Sequence, residues 1–210
     1  MRYGASLRPS RRGGPARDRP VRHGEGPPLR SALIVLGLLS DSDVEWIAAV
    51  GRRVEIPRDG IRVKEGDPIP FVDLLLRGSL SVTTRASGAQ EIGQVSPGEL
   101  IGELSFLDSR PPSATLRARE DSVSLAVPRD ELATKLRWDA DFASRFYRSL
   151  GVLLAYRLRR LNRFALTVAT TSLDEESFAP DEDLELDPAV LELTALAGRR
   201  LEYLQSRLGV

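Results

Sequence analysis

The sequence predicts an α+β fold, mainly β, in which short antiparallel strands form a barrel or sandwich flanked by helices. Three observations carry that expectation. Between Arg53 and Val127 apolar and polar residues alternate in short runs, broken by turn signals at regular spacing. From residue 139 onward the apolar period changes to three and four, as a helix requires. At 210 residues, with 41% hydrophobic, the chain can bury one real core and carry appendages.

Residues 1–30 hold eight arginines against Asp18 and Glu25, with many Gly and Pro and few aliphatic residues. Such a segment cannot bury enough apolar surface to order itself, so the reading is a disordered basic arm. Lys64 and Lys135 are the only lysines, so the arginine bias is partly compositional. The run Ala32 to Leu39 is the longest uncharged apolar stretch, far too short for a bilayer. No small-residue cleavage site follows it before Asp41, and the residues after Arg11-Arg12 do not fit a twin-arginine signal. The expected location is cytoplasmic.

An entry helix is expected over Leu36 to Val50. Ser40 or Asp41 offers an N-cap, and Val44, Ile47 and Ala48 follow at helical spacing. The strands come next. Val54 and Ile56 alternate with polar residues, as do Ile61 and Val63, and Glu65-Gly66-Asp67 marks a turn. Phe71 to Leu76 reads as a buried strand, and Gly78 permits a reversal into Leu80-Ser81-Val82. Ser87-Gly88 closes another hairpin, Ile92 and Val95 continue, and Pro97-Gly98 turns again. Thr115 to Ala118 and Val123 to Val127 complete the set.

Residues 139–164 read as one long amphipathic helix. Phe142, Phe146, Leu150, Leu153, Leu154, Leu158 and Leu161 form a stripe, and Arg145, Arg148, Arg157, Arg159 and Arg160 crowd the remaining surface. The stripe suits packing on the chain's own strands and self-association as a homodimer equally well. Residues 165–187 form an acidic linker; eight acids and no base lie between 174 and 187. Pro188 opens a last amphipathic helix over 188–210, weakened at Gly198.

The stretch Leu100 to Ala118 reads LIGELSFLDSRPPSATLRA. Gly102 and Glu103 open a short helix-compatible run, and Ser113-Ala114-Thr115 follow after a turn. With Glu65-Gly66-Asp67, Gly78 and Pro97-Gly98-Glu99 in order, this layout resembles the phosphate-binding cassette of the cyclic nucleotide-binding domain family. The resemblance covers roughly residues 36–162. It implies an antiparallel β-roll or jelly-roll barrel over 31–138, with its entry helix and a long helix behind. It also implies a ligand of the cAMP or cGMP class, gripped by Gly102, Glu103, Leu104, Ser113 and Ala114. One residue departs from the pattern. Where the family's run carries a phosphate-gripping arginine, this chain has Pro112, which offers neither charge nor N–H. Arg110 stands two residues earlier as a candidate replacement.

The same chemistry can be argued without the resemblance. A carboxylate at Glu103 is a charge-assisted acceptor for a ribose hydroxyl. Backbone N–H groups near Gly102 to Leu104 would face a phosphate if a helix starts there.

Function classes narrow accordingly. With no cysteine and a single histidine, His23, in the basic arm, nucleophilic triads and Cys/His metal sites are not expected. No resident cofactor and no enzyme activity are expected. The residues after the long helix open with acids and offer a single helix, so nucleic-acid binding is not expected. Two readings remain open ahead of a truncated transcription regulator. One is a regulatory protein that senses a small nucleotide and signals to a separate protein partner. The other is a ligand-free adaptor that uses the roll as a scaffold.

Overall fold

The computed structural model describes residues 29–88, 90–170 and 188–210. The basic arm expected at 1–30, save Leu29 and Arg30, lies outside these residues, as does 171–187 of the expected linker.

Two helices open the fold, α1 (Leu29–Leu38) and α2 (Asp41–Val50). The single entry helix expected over Leu36 to Val50 is therefore two helices. The break falls at Ser40, whose hydroxyl accepts from the Asp43 N–H at 3.2 Å while the Asp43 carboxylate accepts from the Ser40 N–H at 2.7 Å. This capping box satisfies two orphan donors at once and starts a new helix there.

Eight strands follow: β1 (Arg52–Ile56), β2 (Ile61–Val63), β3 (Phe71–Arg77), β4 (Leu80–Thr83), β5 (Glu91–Val95), β6 (Leu100–Ile101), β7 (Thr115–Ala118) and β8 (Ser122–Pro128). All their pairings are antiparallel. They form two four-stranded sheets, ordered β1-β8-β3-β6 and β2-β7-β4-β5. The strands make the expected β-roll but do not close into a barrel. A short helix, α3 (Glu103–Asp108), sits between β6 and β7. The turns expected at Gly66, Gly78, Gly88 and Gly98 all have positive φ.

Three helices complete the chain: α4 (Arg129–Trp138), α5 (Ala140–Thr170) and α6 (Pro188–Leu208). Helix α4 has no counterpart in the sequence reading. Only Leu132 on it is buried, so no apolar stripe announced it. Its signal was electrostatic: Asp130 and Glu131 in the first turn, Lys135 and Arg137 in the last. Helix α5 runs six residues past the expected end at 164, so residues 165–170 are helix, not linker.

The strand period of two divides the core into two layers. On β3, Val72, Leu74 and Leu76 face the helices and join Val35, Leu36, Ile47, Phe142, Phe146, Leu150 and Leu153. Leu75 faces the other way and joins Ile56, Val63, Leu80, Ile101 and Leu116 between the sheets. Phe142, Phe146, Leu150 and Leu153 are thus consumed by the chain's own core. Further along the stripe Leu154 is half-buried and Leu158 is 58% exposed. The side chain of Leu161 lies outside the described residues.

Helix α6 packs on α1. The guanidinium of Arg200 donates from Nη1 to the carbonyls of Leu36 at 2.7 Å and Leu39 at 2.6 Å, and from Nη2 to Asp41 at 2.7 Å. One buried arginine thus caps the end of α1 and ties it to the start of α2.

Candidate functional site

The cassette begins at Gly102, the N-cap of α3, with φ +86°. A Cβ there would lie 2.6 Å from the Ile69 Cδ1 and 3.1 Å from the Phe71 carbonyl oxygen. Both the left-handed backbone and the close approach select glycine. From that cap, α3 turns Glu103 and Ser105 inward and leaves Leu104 half exposed. Arg129, from the start of α4, closes the other end. Its Nη1 donates to the Ser105 carbonyl at 2.8 Å.

The second arm of the cassette, residues 111–115, is pinned to the turn at 64–67. The Gly66 N–H donates to the Pro112 carbonyl at 2.9 Å, and the Glu65 N–H donates to the Thr115 hydroxyl at 3.0 Å. Ser113 is exposed and Ala114 half-buried. The loop thus keeps a fixed shape although Pro112 supplies no charge.

Arg110, the candidate replacement for the missing guanidinium, points into solvent. Its side chain is 84% exposed, with Asp108 the acid beside it at 3.9 Å. It lines a cleft of about 70 Å³ with Pro68, Ile69, Ser105, Ser109, Pro111 and Arg129. Small-molecule sites usually measure about 300–1,000 Å³, so this cleft fits a small ion at most. Glu103, Ser113 and Ala114 do not line it.

Glu103 is the buried acid of the cassette, and its side chain is 5% exposed. It is ion-paired with Arg157 of α5, 54 residues away. A buried carboxylate requires such a partner; removing one member of a buried pair typically costs about 3–5 kcal/mol. Arg157 was read from sequence as one of several surface arginines. Its signal was positional: it continues the buried series Phe146, Leu150, Leu153 at the next helical step. An arginine in the path of an apolar stripe has an acid to meet.

A second buried ion pair lies between the sheets. Asp73, fully buried on β3, accepts from Arg62 Nη2 of β2 at 2.8 Å, and also from Arg62 Nε. The Ser124 hydroxyl donates to it at 3.1 Å. The Arg62 guanidinium stacks 3.7 Å from the Phe71 ring centroid. The expectation that Phe71 to Leu76 is a buried strand is met with one charged residue inside it, satisfied on every side.

Among the described residues no cluster of His, Cys, Asp or Glu is arranged to hold a metal ion, and no helix is long and apolar enough to cross a membrane.

The family model described as cyclic nucleotide-binding domain matches residues 53–137. The chain carries a domain of the cyclic nucleotide-binding family. A solved cyclic nucleotide-binding domain from Methylobacillus flagellatus KT is 25% identical, with a TM-score of 0.59, over 66% of this chain and 83% of that one. The N-terminal domain of a transcriptional regulator from Streptomyces coelicolor A3(2) is 27% identical, with a TM-score of 0.52, over 65% and 94%. The catabolite activator protein of Thermus thermophilus shares the fold at 23% identity and a TM-score of 0.56, over 84% and 86%. No curated protein matches the chain. The cyclic nucleotide-binding domain thus supplies β2 to β8, α3 and nearly all of β1 and α4, while α1, α2, α5 and α6 lie outside the matched residues.

Proposed function

We propose that this chain is a regulatory protein whose cyclic nucleotide-binding domain senses a small nucleotide of the cAMP or cGMP class and signals to a separate protein partner. The observation that carries the reading is the cassette. A left-handed Gly102 starts α3, Glu103 sits one residue inside it, and the 111–115 loop is anchored against the 64–67 turn. Gly102, Glu103, Leu104, Ser113 and Ala114 are the ligand-binding residues in this reading; Arg110 is a peripheral one. Glu103 accepts a ribose hydroxyl, and backbone donors of the two arms receive the phosphate. The loss of the arginine at Pro112 removes a charge-assisted contact of about 1.5–3 kcal/mol, about ten- to a hundredfold in affinity. Binding is therefore weaker than a complete cassette would give. The output element is α5, which touches the cassette through Arg157 and the core through Phe142 to Leu153. The role is regulatory, not catalytic, and the setting cytoplasmic.

Calorimetric titration of the full chain with cAMP and with cGMP tests this. The expected result is saturable binding between about 1 μM and 1 mM, about −8 to −4 kcal/mol, lost in Glu103→Ala. No heat and no thermal shift with either nucleotide at millimolar concentration overturns the sensor.

Pro112 and the occupied Glu103 favour a second reading, a ligand-free adaptor built on the same roll. In it the exposed Leu158 of the α5 stripe pairs two copies or receives a partner. A homodimer by sedimentation together with no nucleotide binding would select this reading.

A further inference from the structure

The carboxylate that the proposed function assigns to a ribose hydroxyl is already engaged. Glu103 is buried on α3, and the guanidinium upon it comes from α5, outside the matched domain. No external hydroxyl reaches a carboxylate that is 5% exposed while Arg157 lies on it. The pair is also asymmetric. Arg157 is 33% exposed, at the rim, while Glu103 is inside. On release the arginine reaches water easily, while the glutamate stays inside and needs a new partner there.

The position of the contact along α5 matters. Up to Leu153 the helix is anchored by fully buried apolar side chains. Beyond it Leu154 is half-buried and Leu158 is 58% exposed, and the ion pair is a polar tie of that turn to the cassette. Pro112 leaves the cassette loop without a guanidinium of its own. The charge that meets Glu103 is therefore supplied by the helix that leads out of the domain.

We infer that the Arg157–Glu103 ion pair is an autoinhibitory latch, in which α5 occupies the cassette carboxylate as an internal competitor and must release it before a ribose hydroxyl can bind. The inference rests on the proposed nucleotide reading for its ligand, though not for the contact. Its mechanism is a population shift. Apparent affinity is the intrinsic affinity reduced by the fraction of molecules with the latch open. Ligand and docked helix exclude one another, so binding frees the segment from Leu154 onward and exposes the face it covered.

The test uses the full chain with cAMP and cGMP as probes, together with amide hydrogen exchange over residues 154–159. In Arg157→Met the stem is kept and the charge removed. Tighter binding, about tenfold for a latch closed nine-tenths of the time, and faster exchange at 154–159 are expected. Glu103→Gln, which leaves no buried charge, should also speed that exchange and covers the case in which Arg157→Met fails to fold. The exchanged pair Glu103→Arg with Arg157→Glu should restore protection. Weaker nucleotide binding in Arg157→Met would make Arg157 a ligand contact and overturn the latch. Unchanged exchange in both single variants would overturn it as well. Faster exchange with no nucleotide binding in any variant would support the latch contact and sink the nucleotide reading.

Discussion

An alanine at Gly102 would meet two obstacles at once. Its backbone has φ +86°, which costs a non-glycine residue about 1–2 kcal/mol. Its Cβ would press on the Phe71 carbonyl oxygen at 3.1 Å, and a strand backbone cannot yield as the Ile69 side chain can. Gly102→Ala should therefore cost about 2–4 kcal/mol in urea unfolding. Gly88 is the control. It also has positive φ, but open space surrounds it, so Gly88→Ala should cost only the conformational part, about 1–2 kcal/mol. Equal losses at the two sites would remove the packing argument. These glycines were legible in the sequence because turn chemistry is local: the residue that tolerates the backbone is the residue that marks it. Glu103 was legible as part of the same pattern. Its partner was not, since Arg157 lies 54 residues away and no spacing rule links an acid on a short helix to an arginine on a later one. Pro112 was legible as a missing charge, and Arg110, two residues earlier, as a candidate replacement. It points outward beside Asp108, because two prolines in succession follow it and its own N–H is taken by the Asp108 carboxylate at 3.0 Å.

At the scale of elements, the strands were read more faithfully than the helices. Strand alternation and turn residues report directly on a half-buried sheet, so seven of the eight strands had their apolar positions in view; β6, only Leu100–Ile101, is too short to show a period. Helix boundaries depend on caps and on packing partners. The capping box at Ser40 divided one expected helix into two, and α4 escaped notice because it buries little. The docking of α6 was invisible for another reason: it depends on a close backbone approach. A Cβ on Gly37 of α1 would lie 2.7 Å from the Leu193 carbonyl oxygen of α6. Close contact there lets Arg200 reach the last carbonyls of α1. Arg200→Met keeps the apolar stem and removes those donors. Leaving buried carbonyls unpaired costs about 1–3 kcal/mol each, so a loss of about 2–4 kcal/mol is expected by thermal or urea unfolding. Amide exchange should quicken along α1 ahead of the sheets. Uniform acceleration across the molecule would instead mean that α6 and the roll unfold as one unit.

At the scale of the molecule, three acid–arginine pairs tie the flanking helices together and to the cassette: Arg200 with Asp41, Arg145 with Asp43, and Arg157 with Glu103. Each arginine comes from α5 or α6, and each acid from α2 or α3, across 159, 102 and 54 residues. The Asp43 pair has a consequence for acid stability. Burial alone would raise the Asp43 pKa, but the hydrogen bonds from Arg145, the Ser40 N–H and the Ser40 hydroxyl outweigh it and hold the carboxyl below its ordinary 3.8. Asp139 is lowered too, first by its hydrogen bond from Lys135 and then by the Phe142 N–H. A group whose folded pKa is depressed contributes stability above its unfolded pKa and loses it as pH falls through the folded value. The loss therefore begins as pH drops toward about 4 and is complete only below the folded pKa. Urea midpoints measured from pH 7 to pH 2 should stay level at first and then fall. In Asp43→Asn the midpoint should be lower at pH 7, while the fall below about pH 4 should be shallower, because the asparagine has no proton to take up. Arg145→Met should behave alike, since without the guanidinium the remaining depression of Asp43 comes only from its cap contacts. An unchanged acid slope in both variants would show that the joint between α2 and α5 is held by Phe142 and Phe146 packing on the core, with the ion pair contributing register instead of stability.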